Sequence, residues 1–139
     1  MDDTLNEDLD MCKLKDNEKI IKMLKPDEKL VLSCLLYKIN RVEKRQKRTF
    51  ILSTQAIYNL DNLDMKRRIP LDLIKGMTIS QTGSEFVLHI PDEYDYRFSS
   101  IENREKIVSA FTKHLKKRLK VFYKDEITLE KYTTTRIDK

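Results

Sequence analysis

A chain of 139 residues is long enough to bury one core and too short for two sizeable ones. Charged residues make up 37%, with 28 Lys and Arg against 23 Asp and Glu, a formal net charge of +5 that is moderately basic and far from a polycation. No run approaches the ~18 to 20 consecutive apolar residues that span a bilayer, and Cys12 and Cys34 are too few and too far apart for a disulfide framework or a zinc knuckle.

Residues 1–15 form an acidic lead in which Asp2, Asp3, Glu7, Asp8 and Asp10 crowd together, expected to be a solvated, flexible segment. Asp16 or Asn17 can then cap a short helix that carries Ile20, Ile21, Met23 and Leu24 toward a core, with Pro26 as its stop. The apolar run Leu30–Tyr37, in which Cys34 reads as a small buried hydrophobe, and the run Thr49–Ser53 suit a pleated, half-buried surface and pair as a hairpin. Further strands are expected over 55–60, 66–71, 73–80, 86–90 and 94–98, with turns at Asp61–Asp64 and Gln81–Ser84. Ser99-Ser100-Ile101-Glu102 reads as a capping box, and Ile101, Val108, Phe111, Leu115 and Leu119 then recur on one helical face. Two last runs, 119–123 and 127–132, suggest an extra strand pair, and 133–139 a frayed tail.

The expected fold is therefore α+β and mainly β: an antiparallel barrel or sandwich of about seven strands, capped by a C-terminal helix, within a domain spanning 16–132. That order of elements resembles pleckstrin-homology-like domains, with a short N-terminal helix and the extra strand pair as additions.

The connection between the first two strands is overwhelmingly basic. Lys38, Arg41, Lys44, Arg45, Lys47 and Arg48 have only Glu43 as local counter-charge, so the hairpin end should attract phosphate groups. If Leu32, Cys34 and Leu36 face the core, the two-residue period extends their row to Lys38, and Arg48 extends the row of Phe50 and Leu52. Both cations then converge at the mouth of the core. The apolar character of Leu35, Tyr37, Ile39 and Ile51 competes with this parity, and a bulge would reverse it. Lys66, Arg67 and Arg68, with Lys75 nearby, form a secondary basic cluster that reads more as edge-strand charge than as a site.

The succession Tyr37-Lys38-Ile39-Asn40-Arg41, a basic loop, Arg48, Phe50–Thr54, Ala56-Ile57-Tyr58, Arg67–Leu71 and Ile74-Lys75-Gly76 resembles the tail-homology domain of class I myosins. Phe86–His89 with Asp95-Tyr96, and Leu119–Phe122 with Asp125-Glu126-Ile127, continue the likeness over roughly residues 20 to 132. The resemblance implies a lipid-binding module at the cytoplasmic face of membranes, with phosphoinositides as the preferred headgroups and a myosin motor or the actin cytoskeleton as context. It also implies that Lys38 and Arg48 read the headgroup; Arg41, Lys44, Arg45 and Lys47, by their charge, are expected to be the supporting basic loop that adds less selective attraction. A monomer is expected, without metal or cofactor.

Catalysis finds little footing. Gly76 and Gly83, seven apart, cannot write a phosphate loop, and neither a nucleophilic triad nor a zinc motif emerges. Nucleic acid is a rival polyphosphate partner, but the loop interleaves no aromatic for base stacking. A protein-interaction adaptor, using a sheet edge or the helix, is the other alternative.

Overall fold

The β-favouring runs become eight strands among the described residues of this computed structural model, which are 9–40, 42–91, 93, 95–115 and 120–124. Helix α1 (Glu18–Met23) precedes β1 (Leu30–Ile39), β2 (Arg45–Ser53), β3 (Ala56–Asp61) and β4 (Asp64–Pro70). A 3-10 turn at Leu71–Leu73 leads to β5 (Gly76–Ser80), β6 (Glu85–His89), β7 (Tyr96–Ser99), α2 (Arg104–Leu115) and β8 (Lys120–Lys124). Strand order in the sheet is β4-β3-β2-β1-β7-β6-β5-β8, so it is open. Seven strands are antiparallel, and β8 adds to β5 in parallel. The second member of the expected strand pair, 127–132, and the tail 133–139 lie outside the described residues.

One core gathers the inward rows of this sheet. Leu32, Cys34 and Leu36 of β1 meet Phe50 and Leu52 of β2, with Phe86, Leu88, Tyr96 and Phe98 from the far half. Ile107, Ala110 and Phe111 of α2 close it, and Phe50 packs edge-on to Phe98 at 5.4 Å between centroids. Burial pushes the Cys34 thiol up to about 12, consistent with a packing role.

A second, smaller cluster covers the outer face of β2 and β3. Leu14, Ile20, Ile51, Ala56, Tyr58 and Leu60 form it. This explains the apolar Ile51: both faces of β2 are covered here, so strict alternation fails. Asn17 is the helix cap, its side chain accepting from the Lys19 and Ile20 amides, while Ile21 faces solvent instead of the core.

Three expectations need correction. The end of the acidic lead is packed: Asp10 is buried, and its carboxylate accepts from the Leu14 amide at 2.9 Å, the Lys15 amide at 2.8 Å and the Ser33 hydroxyl at 2.6 Å. Residues 9–15 thus belong to the domain, and 1–8 lie outside the described residues. Ser99 ends β7 and does not open a helix. Ser100 Oγ instead accepts from the Asn103 amide across a turn, which leaves Ile101 90% exposed and starts α2 only at Arg104. The expected strand over 73–80 is shortened to Gly76–Ser80, because the 3-10 turn occupies Leu71–Leu73.

Candidate anion-binding site

Lys38 and Arg45 through Arg48 lie within the ladder itself, so the connecting loop is shorter than the basic run. β1 and β2 pair continuously from Leu32↔Leu52 to Ile39↔Arg45, leaving a tight turn between Asn40 and Lys44. Asn40 builds that turn: its Oδ1 accepts from the Val42 amide at 3.0 Å and the Lys44 amide at 2.9 Å, while Glu43 takes φ 61°. The left-handed residue re-aims the chain, and Glu43 points at Arg97, 3.7 Å away.

The register settles the parity. Lys38 stands opposite Gln46 and Leu36 opposite Arg48, so Lys38 and Arg48 are diagonal neighbours, roughly 7 to 8 Å apart, on the core-facing side. Lys38 Nζ lies 5.7 Å from the centroid of the Tyr96 ring, which itself stacks on Phe98. Burial, and then the Arg48 guanidinium, hold the Lys38 ammonium below the usual lysine range. Arg48 donates Nη1 to the Lys47 carbonyl at 3.0 Å, whereas its Nε is buried without a hydrogen-bond partner. Two like charges are thus brought together with one buried donor unsatisfied, an arrangement whose repulsion an anion placed between them would relieve.

The remaining basic residues divide by strand parity. Arg45 and Lys47 project to the opposite face, where they line a groove with Tyr37, and Lys44 is exposed at the turn. Arg41 lies outside the described residues. Among the described residues, Lys38, Lys44, Arg45, Lys47 and Arg48 have no carboxylate partner. Glu43, the counter-charge expected from sequence, serves Arg97 instead.

The secondary cluster is not brought together as a site. Arg67 pairs with Glu93 through Nε at 3.1 Å, and Arg68 turns to the other side of β4 to meet Glu28 at 3.3 Å and the Tyr58 hydroxyl at 2.9 Å. Lys66 stays exposed. Two further lining residues, Gln46 and Tyr96, escaped the reading of charge alone. The two-residue period places Gln46 in the row of Arg48, whereas Tyr96 depends on the β1–β7 pairing, Lys38↔Phe98, which no local pattern reveals.

The structure also assembles an order of groups reminiscent of a nucleophilic relay. Thr78 Oγ1 lies 2.7 Å from His89 Nε2, and Asp95 Oδ2 lies 3.0 Å from His89 Nδ1. Thr78, however, is only 2% exposed, so the chain of bonds ties β5 and β6 to the start of β7 and offers no attacking oxygen to a substrate. Among the described residues, no group of three or more His, Cys, Asp or Glu is placed to hold a metal.

An open antiparallel sheet curled on one core, with a C-terminal helix across it and cations at the mouth of its first hairpin, defines a pleckstrin-homology-like domain. Solved structures share the fold. The hSac2 domain of the human phosphoinositide phosphatase Sac2 is 13% identical at TM-score 0.63, covering 86% of this chain and 90% of that one. The C-terminal domain of an unknown protein from Leishmania infantum is 12% identical at 0.58, covering 70% and 91%. The N-terminal pleckstrin-homology domain of human ARAP2 is 23% identical at 0.51, covering 61% and 78%. At such identities the likeness concerns fold alone. No curated protein matches the sequence. The family described as "Unconventional myosin tail, actin- and lipid-binding" matches residues 5–138, and the chain belongs to that family.

Proposed function

We propose that the chain is a non-enzymatic membrane-targeting module that grips anionic phospholipids, phosphoinositides above all, between Lys38 and Arg48 on the cytoplasmic face of membranes. The observation that carries this reading is the buried, unpartnered Nε of Arg48 beside a lysine whose charge is disfavoured by its surroundings. A phosphate placed there accepts a charge-assisted hydrogen bond from the guanidinium fork and neutralises both cations. Lys44, Arg45 and Lys47 add attraction of roughly 1 kcal/mol each near an anionic leaflet. Membership of a family described as lipid-binding supports the same partner class. That description also names actin, which makes a motor or cytoskeletal setting the natural one for such a tether.

The test is sedimentation with vesicles containing a few per cent phosphoinositide. The double variant Lys38→Ala/Arg48→Ala should lose about tenfold or more in partition, equivalent to at least ~1.4 kcal/mol. Unchanged partition removes the site, and retention on RNA exceeding retention on vesicles at equal salt would reassign the partner.

A further inference from the structure

The outer face of the same hairpin carries exposed apolar side chains that the Lys38 and Arg48 pair does not use. Leu35 and Tyr37 of β1 are 50% and 44% exposed, and Ile101, in the turn before α2, is 90% exposed. They line one groove of about 290 Å³, with Arg45 and Lys47 on one wall and Glu102 on the other. Large apolar side chains gathered in a rimmed groove mark a recognition surface, and an exposed tyrosine beside arginine is the composition such surfaces favour. The second wall is fixed in advance: the Ser100 amide donates to the Ser84 carbonyl at 3.0 Å, and Ser100 Oγ holds the Asn103 amide. A preformed wall lowers the ordering cost of binding.

We infer that this groove docks a short acidic peptide segment of a partner protein, with one bulky apolar residue seated among Leu35, Tyr37 and Ile101 and carboxylates over Arg45 and Lys47. Three observations select that occupant. At Tyr37 the strand is paired on both sides, with Lys47 and with Ser99, so its backbone is satisfied and recognition must come from side chains. The volume of about 290 Å³ suits one or two bulky side chains and falls just below the range of small-ligand sites, roughly 300 to 1,000 Å³. The order along the strand also matters. Arg45 lies level with Ile39 near the turn, whereas Leu35 lies four residues behind, about 13 Å at 3.3 Å per residue. Tyr37 is level with Lys47 and Leu35 lies two residues further from the turn, so the apolar seat lies beside and behind the cations, whereas a lipid would need its apolar part beyond them, toward the bilayer.

The experiment uses the full chain, an acidic decapeptide with a central Leu-Phe pair, and a control in which that pair is Ser-Ser. Amide shifts on titration should concentrate at Tyr37, Lys47 and Ile101. Lys47→Glu and Ile101→Asp, both at exposed positions, should each weaken the peptide about tenfold, whereas Lys38→Ala/Arg48→Ala should leave it within about twofold. Equal binding of the control, shifts centred on Lys38 and Arg48, or no saturable shift up to about 1 mM would each overturn the inference. So would a loss of vesicle partition in Ile101→Asp, which would make the groove a second lipid face.

Discussion

Lys66, Arg67 and Arg68 on β4, and Arg45, Lys47 and Arg48 at the start of β2 with Lys44 just before it, are both short basic runs of antiparallel strands, and they differ in what stands opposite them. On β4 a remote carboxylate reaches each arginine: Glu28 from the segment before β1, Glu93 from the turn before β7. On β2 the nearest carboxylate, Glu43, is turned away by a left-handed backbone and pairs with Arg97. Charge count therefore says little about availability. The position of the counter-charge, often dozens of residues distant, decides whether a basic run stabilises the fold or stays ready for a ligand.

Breaking the satisfied side should have the largest effect. Glu28 has a fully buried carboxylate that accepts from the Lys25 amide, the Ser53 and Tyr58 hydroxyls and Arg68. Glu28→Ala takes the acceptor from the buried Tyr58 hydroxyl and the carboxylate from Arg68, leaving Ser53 only the Ala56 carbonyl, and should cost about 3 to 5 kcal/mol in urea unfolding. Arg68→Ala should cost less, because its guanidinium is partly solvated. The pH dependence follows from the same contacts. Burial pushes the Glu28 carboxyl up, but the Lys25 amide, the two hydroxyls and Arg68 together hold it below the usual carboxylate range. A depressed folded pKa gives stability that is present above the unfolded value of about 4.3 and lost as pH falls through the folded one. Acid titration of the wild-type midpoint should show that decline, and Glu28→Gln should flatten it.

Relieving the unsatisfied side should work in the other direction. Lys38 is held below the usual lysine range by burial and then by Arg48. Its charged form is thus less comfortable folded than unfolded. With a lowered folded pKa, the penalty is complete below the folded value and relieved as pH rises from there toward the unfolded ~10.4. Lys38→Met should raise stability at pH 7 by at most about 1 kcal/mol, given partial solvent screening, and abolish the alkaline gain. The same variant should weaken vesicle binding, so stability and function move oppositely. Lower stability at neutral pH would mean that the Tyr96 contact outweighs the repulsion.

Much of this was legible in the sequence where local period governs. The row Leu32, Cys34, Leu36, Lys38 follows from a two-residue repeat, and so does Arg48 behind Phe50 and Leu52; the pairing of β1 with β2 agrees with both. What stayed hidden depends on contacts distant in the chain. Asp10 reads as one more acid of a solvated lead, yet Ser33 and two amides bury it. Ser99 and Glu102 have the spacing of a capping box, but pairing of Tyr37 with Ser99 extends β7 through that serine and displaces the helix start. Ile101, read as a core residue of the helix, becomes for that reason the most exposed of the groove's large apolar residues.

The smallest effect on binding concerns the turn that joins β1 to β2. Asn40 Oδ1 holds both the Val42 and Lys44 amides, and the Asn40 amide donates to the Lys44 carbonyl at 3.1 Å. Asn40→Ala removes two side-chain hydrogen bonds at an exposed site, so unfolding should shift by only about 1 kcal/mol. Lys38 and Arg48 sit inside the strand ladder and keep their places, while Lys44 and Arg45 flank the loosened turn. Vesicle affinity should then fall about two- to threefold at low salt and converge with wild type at high salt, where attraction from exposed cations is screened. A loss as deep as that of Lys38→Ala/Arg48→Ala, and insensitive to salt, would place the phosphate contact on the turn, and would make the two rows of β2 a single site.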